Sequence, residues 1–119
     1  MQKQLAGVGR ITFASGSAVL TSHDKAVAKQ IAKILVAHPG VRLKVEGNTD
    51  STGSAAFNLT MSRARARAVV RQLRALGVAR SRLTVIGYGE THPKVANDTP
   101  RHRAINRRVD LVAATPAGH

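Results

Sequence analysis

The clearest pattern in the chain is helical. Over residues 24–38 the apolar positions Val27, Ile31, Ile34 and Leu35 fall at i, i+4, i+7 and i+8, one stripe of a 3.6-residue repeat, and Pro39-Gly40 stops it. The period then changes to two. Val41, Leu43 and Val45 alternate with Arg42, Lys44 and Glu46, as in a strand with one buried and one wet face, and this strand runs into Gly47. Helical spacing returns from about residue 55 or 60 to residue 76 and ends at Gly77, which suits a left-handed cap. Ile11 and Phe13 predict a short strand, Leu83 and Val85 another before GYGE, and, after a polar loop, Ile105, Val109 and Leu111 a last one. The order β-α-β-α-β-β predicts an α/β (α+β) sandwich, with two helices packed on a mixed sheet. A chain of 119 residues is most simply one domain. The pattern sets that domain at 9–113, between a lead-in at 1–8 and a flexible tail at 114–119.

Arginine crowds the second helix, at positions 63, 65, 67, 71 and 74. With roughly 100° per residue, Ala66, Leu73 and Leu76 fall within about 60° of Val69 and form the buried stripe. Arg63, Arg67, Arg71 and Arg74 project about 120–160° away and read as a solvated face. Arg65 lies only about 40° from Val69, on the core side, where a covered guanidinium needs a partner. Just before this helix, in the stretch EGNTDSTGSAAFN, stands Asp50. Two readings fit the spacing. One is an internal Asp50–Arg65 ion pair, with Asp50 also closing an Asx turn, and spacing alone favours it. The other is a preorganised pocket with one acidic and one basic wall, suited to a zwitterion.

Composition sharpens the oddity of Asp50, because the whole chain has 6 Asp and Glu against 19 Lys and Arg, a net charge of +13. Such a balance implies anionic surroundings, and the exposed arginine stripe makes a basic nucleic-acid-binding domain the alternative function. With only Phe13, Phe57 and Tyr88 as aromatics, the chain is poorly equipped to stack unpaired bases. The absence of cysteine excludes disulfides and thiol chemistry. Lys33 interrupts the longest apolar run, well short of the roughly 18 residues a membrane span needs. The MQKQLAG start has no apolar core of a signal peptide, so the chain reads as cytosolic or as a portion of a longer exported protein.

Catalytic signatures fail on spacing. GNTDSTGS has no Lys to complete a phosphate-binding loop, and GVGRIT precedes a strand and lacks the third glycine of a dinucleotide fingerprint. DSTGS has neither a second carboxylate nor an all-β frame around it. The five histidines are scattered with no i, i+4 pair, so no metal site is expected, and no G-x-S-x-G elbow supports a nucleophile. The reading is therefore not an enzyme, with no catalytic residue, no metal and no cofactor.

The residues do resemble a family. TDSTGSAAFNLTMSRARARAV matches, through Thr49, Asp50, Gly53, Asn58, Ser62, Arg65, Ala66 and Val69, the signature of the OmpA C-terminal-like (OmpA/Pal/MotB-type) peptidoglycan-binding domains. A second block, GYGETHPKVANDTPRHRAINRRV, resembles the family's closing segment through Gly87, Gly89, Glu90, Pro93, Asn97, Thr99, Arg103, Asn106, Arg107, Arg108 and Val109. The resemblance runs from Phe13 to Leu111. It departs at Asn48, where the family usually has His, at Met61 for Leu, and at His102 for Gly. The fold it implies is again β-α-β-α-β-β. It further implies non-covalent, non-catalytic binding of peptidoglycan through the diaminopimelate of its stem peptide, in the periplasm or cell envelope. The parent protein would be membrane-anchored or outer-membrane, its membrane segment lying outside this chain, and nucleic acid would not be a partner. By resemblance, Asp50 receives the ligand's ammonium and Arg65 its carboxylate, with Thr49 and Asn58 adding hydrogen bonds. Arg107 is a further candidate, on the Val109 and Leu111 side of the last strand by parity; a salt bridge to the sheet's acids is an equal alternative for it.

Overall fold

The computed structural model describes residues 10–114. Its elements run β1 (Ile11–Thr12), α1 (Ser22–Ala37), β2 (Arg42–Gly47), α2 (Ala55–Ala75), a 3-10 turn (Arg80–Arg82), β3 (Leu83–Gly87), α3 (Pro100–Asn106) and β4 (Arg108–Ala114). The sheet order is β1-β4-β2-β3. β2 and β3 are parallel, as a β-α-β crossover requires, and β4 inserts antiparallel to both β1 and β2. The mixed sheet with α1 and α2 packed on it is the architecture the periodicity predicts. Alternation holds residue by residue: Leu43 and Val45 on β2 and Val109 on β4 are buried with Ile31, Leu35, Val69 and Leu73 from the helices, while Arg42 and Lys44 are exposed.

The ends of the helices have chemical causes. α1 begins at Ser22, earlier than the apolar stripe suggests, because Thr21 and Asp24 form a capping box: Asp24 N–H donates to Thr21 Oγ1 and Thr21 N–H to Asp24 Oδ2. α2 begins at the earlier of its two candidate starts, since Ser54 Oγ accepts from Phe57 N–H and caps it. It stops where Gly77 takes φ of 96°.

Two expectations are corrected. The polar loop before the last strand contains α3, started by Thr99 as N-cap and Pro100 in the first turn, and Ile105 belongs to this helix and not to β4. Ala114 is the last residue of β4, paired with Arg42, and not part of a tail. The expected lead-in at 1–8 and the remainder of the tail lie outside the described residues.

The start of α2 sits directly on the backbone of the two parallel strands. A Cβ on Gly47 would lie 1.8 Å from the Ser62 carbonyl oxygen, and one on its ladder partner Gly87 would lie 2.5 Å from Arg63 Cγ and 2.7 Å from Ser62 Oγ. Only glycine permits this approach. Ser62 Oγ then accepts from Gly89 N–H, tying the helix to the turn after β3. Gly47→Ala should therefore destabilise the domain by about 1–3 kcal/mol or more. Gly40→Ala, where nothing lies within 4 Å of the new methyl, should stay within about 0.5 kcal/mol of the parent. Urea unfolding of the two variants checks the contrast.

Candidate functional site

The chain beyond β2 stays clamped after the strand has ended. Asn48 N–H donates to Arg108 O and Thr49 N–H to Gly89 O, so both residues are held between β4 and the turn after β3. Thr49 Oγ1 donates to the Asp50 carbonyl. Asp50 Oδ1 accepts from Thr52 N–H at 2.9 Å, the expected Asx turn, and its residue is only 6% exposed.

The partner of Asp50 differs from the one spacing favours. Its Oδ2 accepts from Arg107 Nη1 at 3.0 Å, an ion pair largely removed from solvent, and not from Arg65. Arg107 is the C-cap of α3, immediately before β4, and its Nε donates to Phe13 O. It takes the loop acid, whereas the acids of the sheet are engaged elsewhere: Asp110 with Arg108 and Glu46 with the Tyr88 hydroxyl.

Arg65 is 1% exposed and satisfied by main chain. Nε donates to Ser17 O at 2.9 Å, Nη1 to Asn48 O at 3.1 Å and Nη2 to Ala14 O at 3.2 Å, while its guanidinium carbon lies 5.3 Å from the centroid of the Phe13 ring. The ion pair fails because Arg65 leaves the core side of α2 beneath the loop and meets carbonyls of the β1–α1 connection first. Burial, then repulsion from Arg107, lowers its pKa to about 10, with Asp50 acting in the opposite direction, so it remains a cation at neutral pH.

Thr49, Asp50, Asn58, Arg65 and Arg107 all line one cavity of ≈ 170 Å³ at the N-terminal end of α2. Asn58 is 3% exposed, and its Nδ2 has no hydrogen-bond partner. A buried amide left unpaired is costly, and this one stands on the wall of a cavity where a ligand oxygen would satisfy it. The chemistry of the cavity is one carboxylate, two guanidiniums and an open amide donor. Ser15, Gly16, Thr52, Gly53, Phe57 and Met61 complete the walls and were not foreseen as site residues. Phe57 carried a signal, being one of three aromatics and next to the acidic loop; the turn at residues 15–16 carried none.

The family model described as the OmpA family matches residues 12–107. The chain belongs to the OmpA family. Among curated relatives, the peptidoglycan-binding protein ArfA of Mycobacterium tuberculosis is 38% identical over 104 residues, covering 87% of this chain and 32% of ArfA. The peptidoglycan-associated lipoprotein of Legionella pneumophila is 33% identical over 100 residues, covering 84% of this chain and 57% of that protein. Among solved structures, the peptidoglycan-associated lipoprotein of Burkholderia pseudomallei superposes with a TM-score of 0.85 at 32% identity, covering 89% of this chain and 91% of that one. The C-terminal domain of Helicobacter pylori MotB gives 0.86 at 30% identity, covering 93% and 88%. This OmpA-family domain thus spans about a third of the length of ArfA.

The ionisation of the Asp50 carboxyl follows from the same contacts. Burial pushes its pKa up, but hydrogen bonds from Thr52 N–H and from Arg107 outweigh burial and hold it below the ordinary value. A depressed folded-state pKa means stability that is present above the unfolded value of about 3.9 and lost as pH falls through the folded value. NMR titration of Asp50 should give a midpoint below about 3.9. In Arg107→Ala the midpoint should rise, and the stability lost on acidification should shrink with it.

Proposed function

We propose that this domain holds its parent protein to peptidoglycan, without chemistry, by capturing the diaminopimelate of a stem peptide in the cavity beside Asp50. The observation that supports this most is the convergence of Asp50, Arg65, Arg107 and the unpartnered Asn58 amide on a single small cavity. The free end of diaminopimelate carries an ammonium and a carboxylate. Asp50 has used one lone pair on each oxygen and retains others for the ammonium. Arg65 and Asn58 Nδ2 offer donors to the carboxylate, with planar guanidinium geometry matched to it. Thr49, whose hydroxyl hydrogen is held by the Asp50 carbonyl, keeps an oxygen lone pair as a further acceptor. Relatives named for peptidoglycan binding or association point to the same polymer, and to the periplasm or cell envelope as the place of action.

Charge-assisted hydrogen bonds contribute about 1.5–3 kcal/mol each, enough for a weak site on one stem. A wall that repeats the stem many times raises the effective concentration and retains the protein by rebinding.

A stem tripeptide ending in diaminopimelate should displace the domain from purified sacculi. The same tripeptide ending in lysine, which lacks the carboxylate at the free side-chain end, should be weaker by roughly tenfold or more, the equivalent of one lost charge-assisted bond. Asp50→Asn should reduce retention by a similar factor with a modest change in melting temperature, because Arg107 keeps its bond to Phe13 O. Arg71→Ala, on the exposed face of α2, should leave displacement by the tripeptide unaltered. Arg65→Ala is the wrong probe, since it strands three carbonyls in the core. Equal displacement by both tripeptides, or retention on duplex DNA with none on sacculi, would sink the reading.

A further inference from the structure

Arg63, Arg67, Arg71 and Arg74 are exposed, as their helical angles predict, but they do not form a convex, dispersed face. Together with Arg80 they wall an open groove of ≈ 390 Å³. None of the five guanidiniums is in an ion pair or a side-chain hydrogen bond among the described residues. The groove is also lined by Val85 and Gly87, at the outer edge of the sheet, where β3 has β2 as its sole neighbour among the described residues.

The hydrogen-bond register of β3 says which of its backbone groups are open. Tyr88 N–H donates to Gly47 O, continuing the parallel ladder, so by alternation Thr84 and Ile86 also face β2. Val85 and Gly87 therefore direct their main-chain groups away from β2, into the groove side of the edge. Leu83 N–H is already taken by Arg80 O. An edge of this kind is a template for another strand.

The cation spacing fits the same occupant. Arginines four apart on α2 recur about every 6 Å along the helix, and the row from Arg63 to Arg74 is roughly 16 Å long. Side chains on one face of a strand recur about every 6.6–6.8 Å, and five strand residues span roughly 17 Å. The crossover from β2 through α2 to β3 sets the helix alongside the strand, so the two rows run together. We infer that the β3 edge and this groove receive an extended acidic segment of a protein partner. The segment adds as a fifth strand bonded to Val85 and Gly87 and aligns alternate Asp or Glu side chains with the arginines of α2. Intervening side chains of the added strand fall on the other face of the sheet, beside Thr84 and Ile86. All five cations being Arg suits fork-to-carboxylate pairing. The absence of any aromatic side chain in the groove argues against stacked bases.

This site is separate from the wall-binding cavity, being on the opposite side of α2 from Arg65, and it stands whether or not that reading holds. The probe is a capped peptide of about eight residues in which Glu alternates with Thr or Val. Its comparison has the same composition with all Glu in one block. Titration of the intact chain should show the alternating peptide binding at least tenfold tighter than the blocked one, with slowed amide exchange at Val85 and Gly87. Arg67→Glu combined with Arg71→Glu should weaken it at least tenfold, and Asp50→Asn should leave it unchanged. Equal binding of the two peptides, failure of the alternating peptide to bind, binding without protection of those two amides, or tighter binding of duplex DNA of equal charge would each overturn the inference.

Discussion

A buried guanidinium organises this domain. Arg65 has less than a fiftieth of its surface in contact with water, yet it stays charged, because main-chain carbonyls from two separate connections converge on it. An uncompensated cation in that position would be prohibitive. The loop after β1 and the loop after β2 therefore have to be where they are for α2 to pack at all. The same requirement fixes the floor and two walls of the cavity, so the domain cannot relax its site without disturbing its core. Phe13 contributes to this arrangement twice, with its ring face beside Arg65 and its carbonyl accepting from Arg107.

The glycines at the ends of β2 and β3 work with this constraint. By letting the Ser62 main chain rest on strand backbone, they lower the first turns of α2 into the sheet, which brings Asn58 and Arg65 level with the loop that carries Asp50. On the far side of the same helix, this close approach of Arg63 to Gly87 produces the arginine-walled groove. One packing distance thus shapes both faces of α2. The two faces differ in their electrostatics: inside, cations are matched by a carboxylate and by carbonyl dipoles; outside, they are unmatched and solvated.

The strand and helix order was legible because burial is periodic, and Leu43, Val45, Ile31 and Val69 occupy the interior positions that their spacing assigns. The four residues carried over from the family blocks and Arg107, proposed from strand parity, do share one cavity, although the local pattern could not say how they pair. Arg107 lies 57 residues from Asp50 in the chain, and nothing in either neighbourhood marks the other as its partner. The carbonyl acceptors of Arg65 were equally invisible, since every residue has a carbonyl and only the fold selects those of Ala14, Ser17 and Asn48. The short α3 was legible and missed: Thr99-Pro100 is a cap followed by a first-turn proline, but the polarity of the segment hid it, and Ile105 was assigned to the strand that follows.

The position of β4 determines how much of the chain the candidate site needs. It is the last element of the described chain, yet it lies inside the sheet, between β1 and β2. Arg107 stands at its entrance and contacts Asp50 and Phe13, both from the first half of the chain. Asn106, fully buried, fastens the preceding loop through Lys94, Val95 and Asn97 and so aims that entrance. The arginine groove is lined by residues 63–87 alone, within the continuous β2-α2-β3 stretch. The cavity beside Asp50 instead draws on residues from Ser15 to Arg107 and lacks part of its wall without the entrance to β4. One face of α2 is therefore local in the chain, whereas the other needs both ends of the described chain in place.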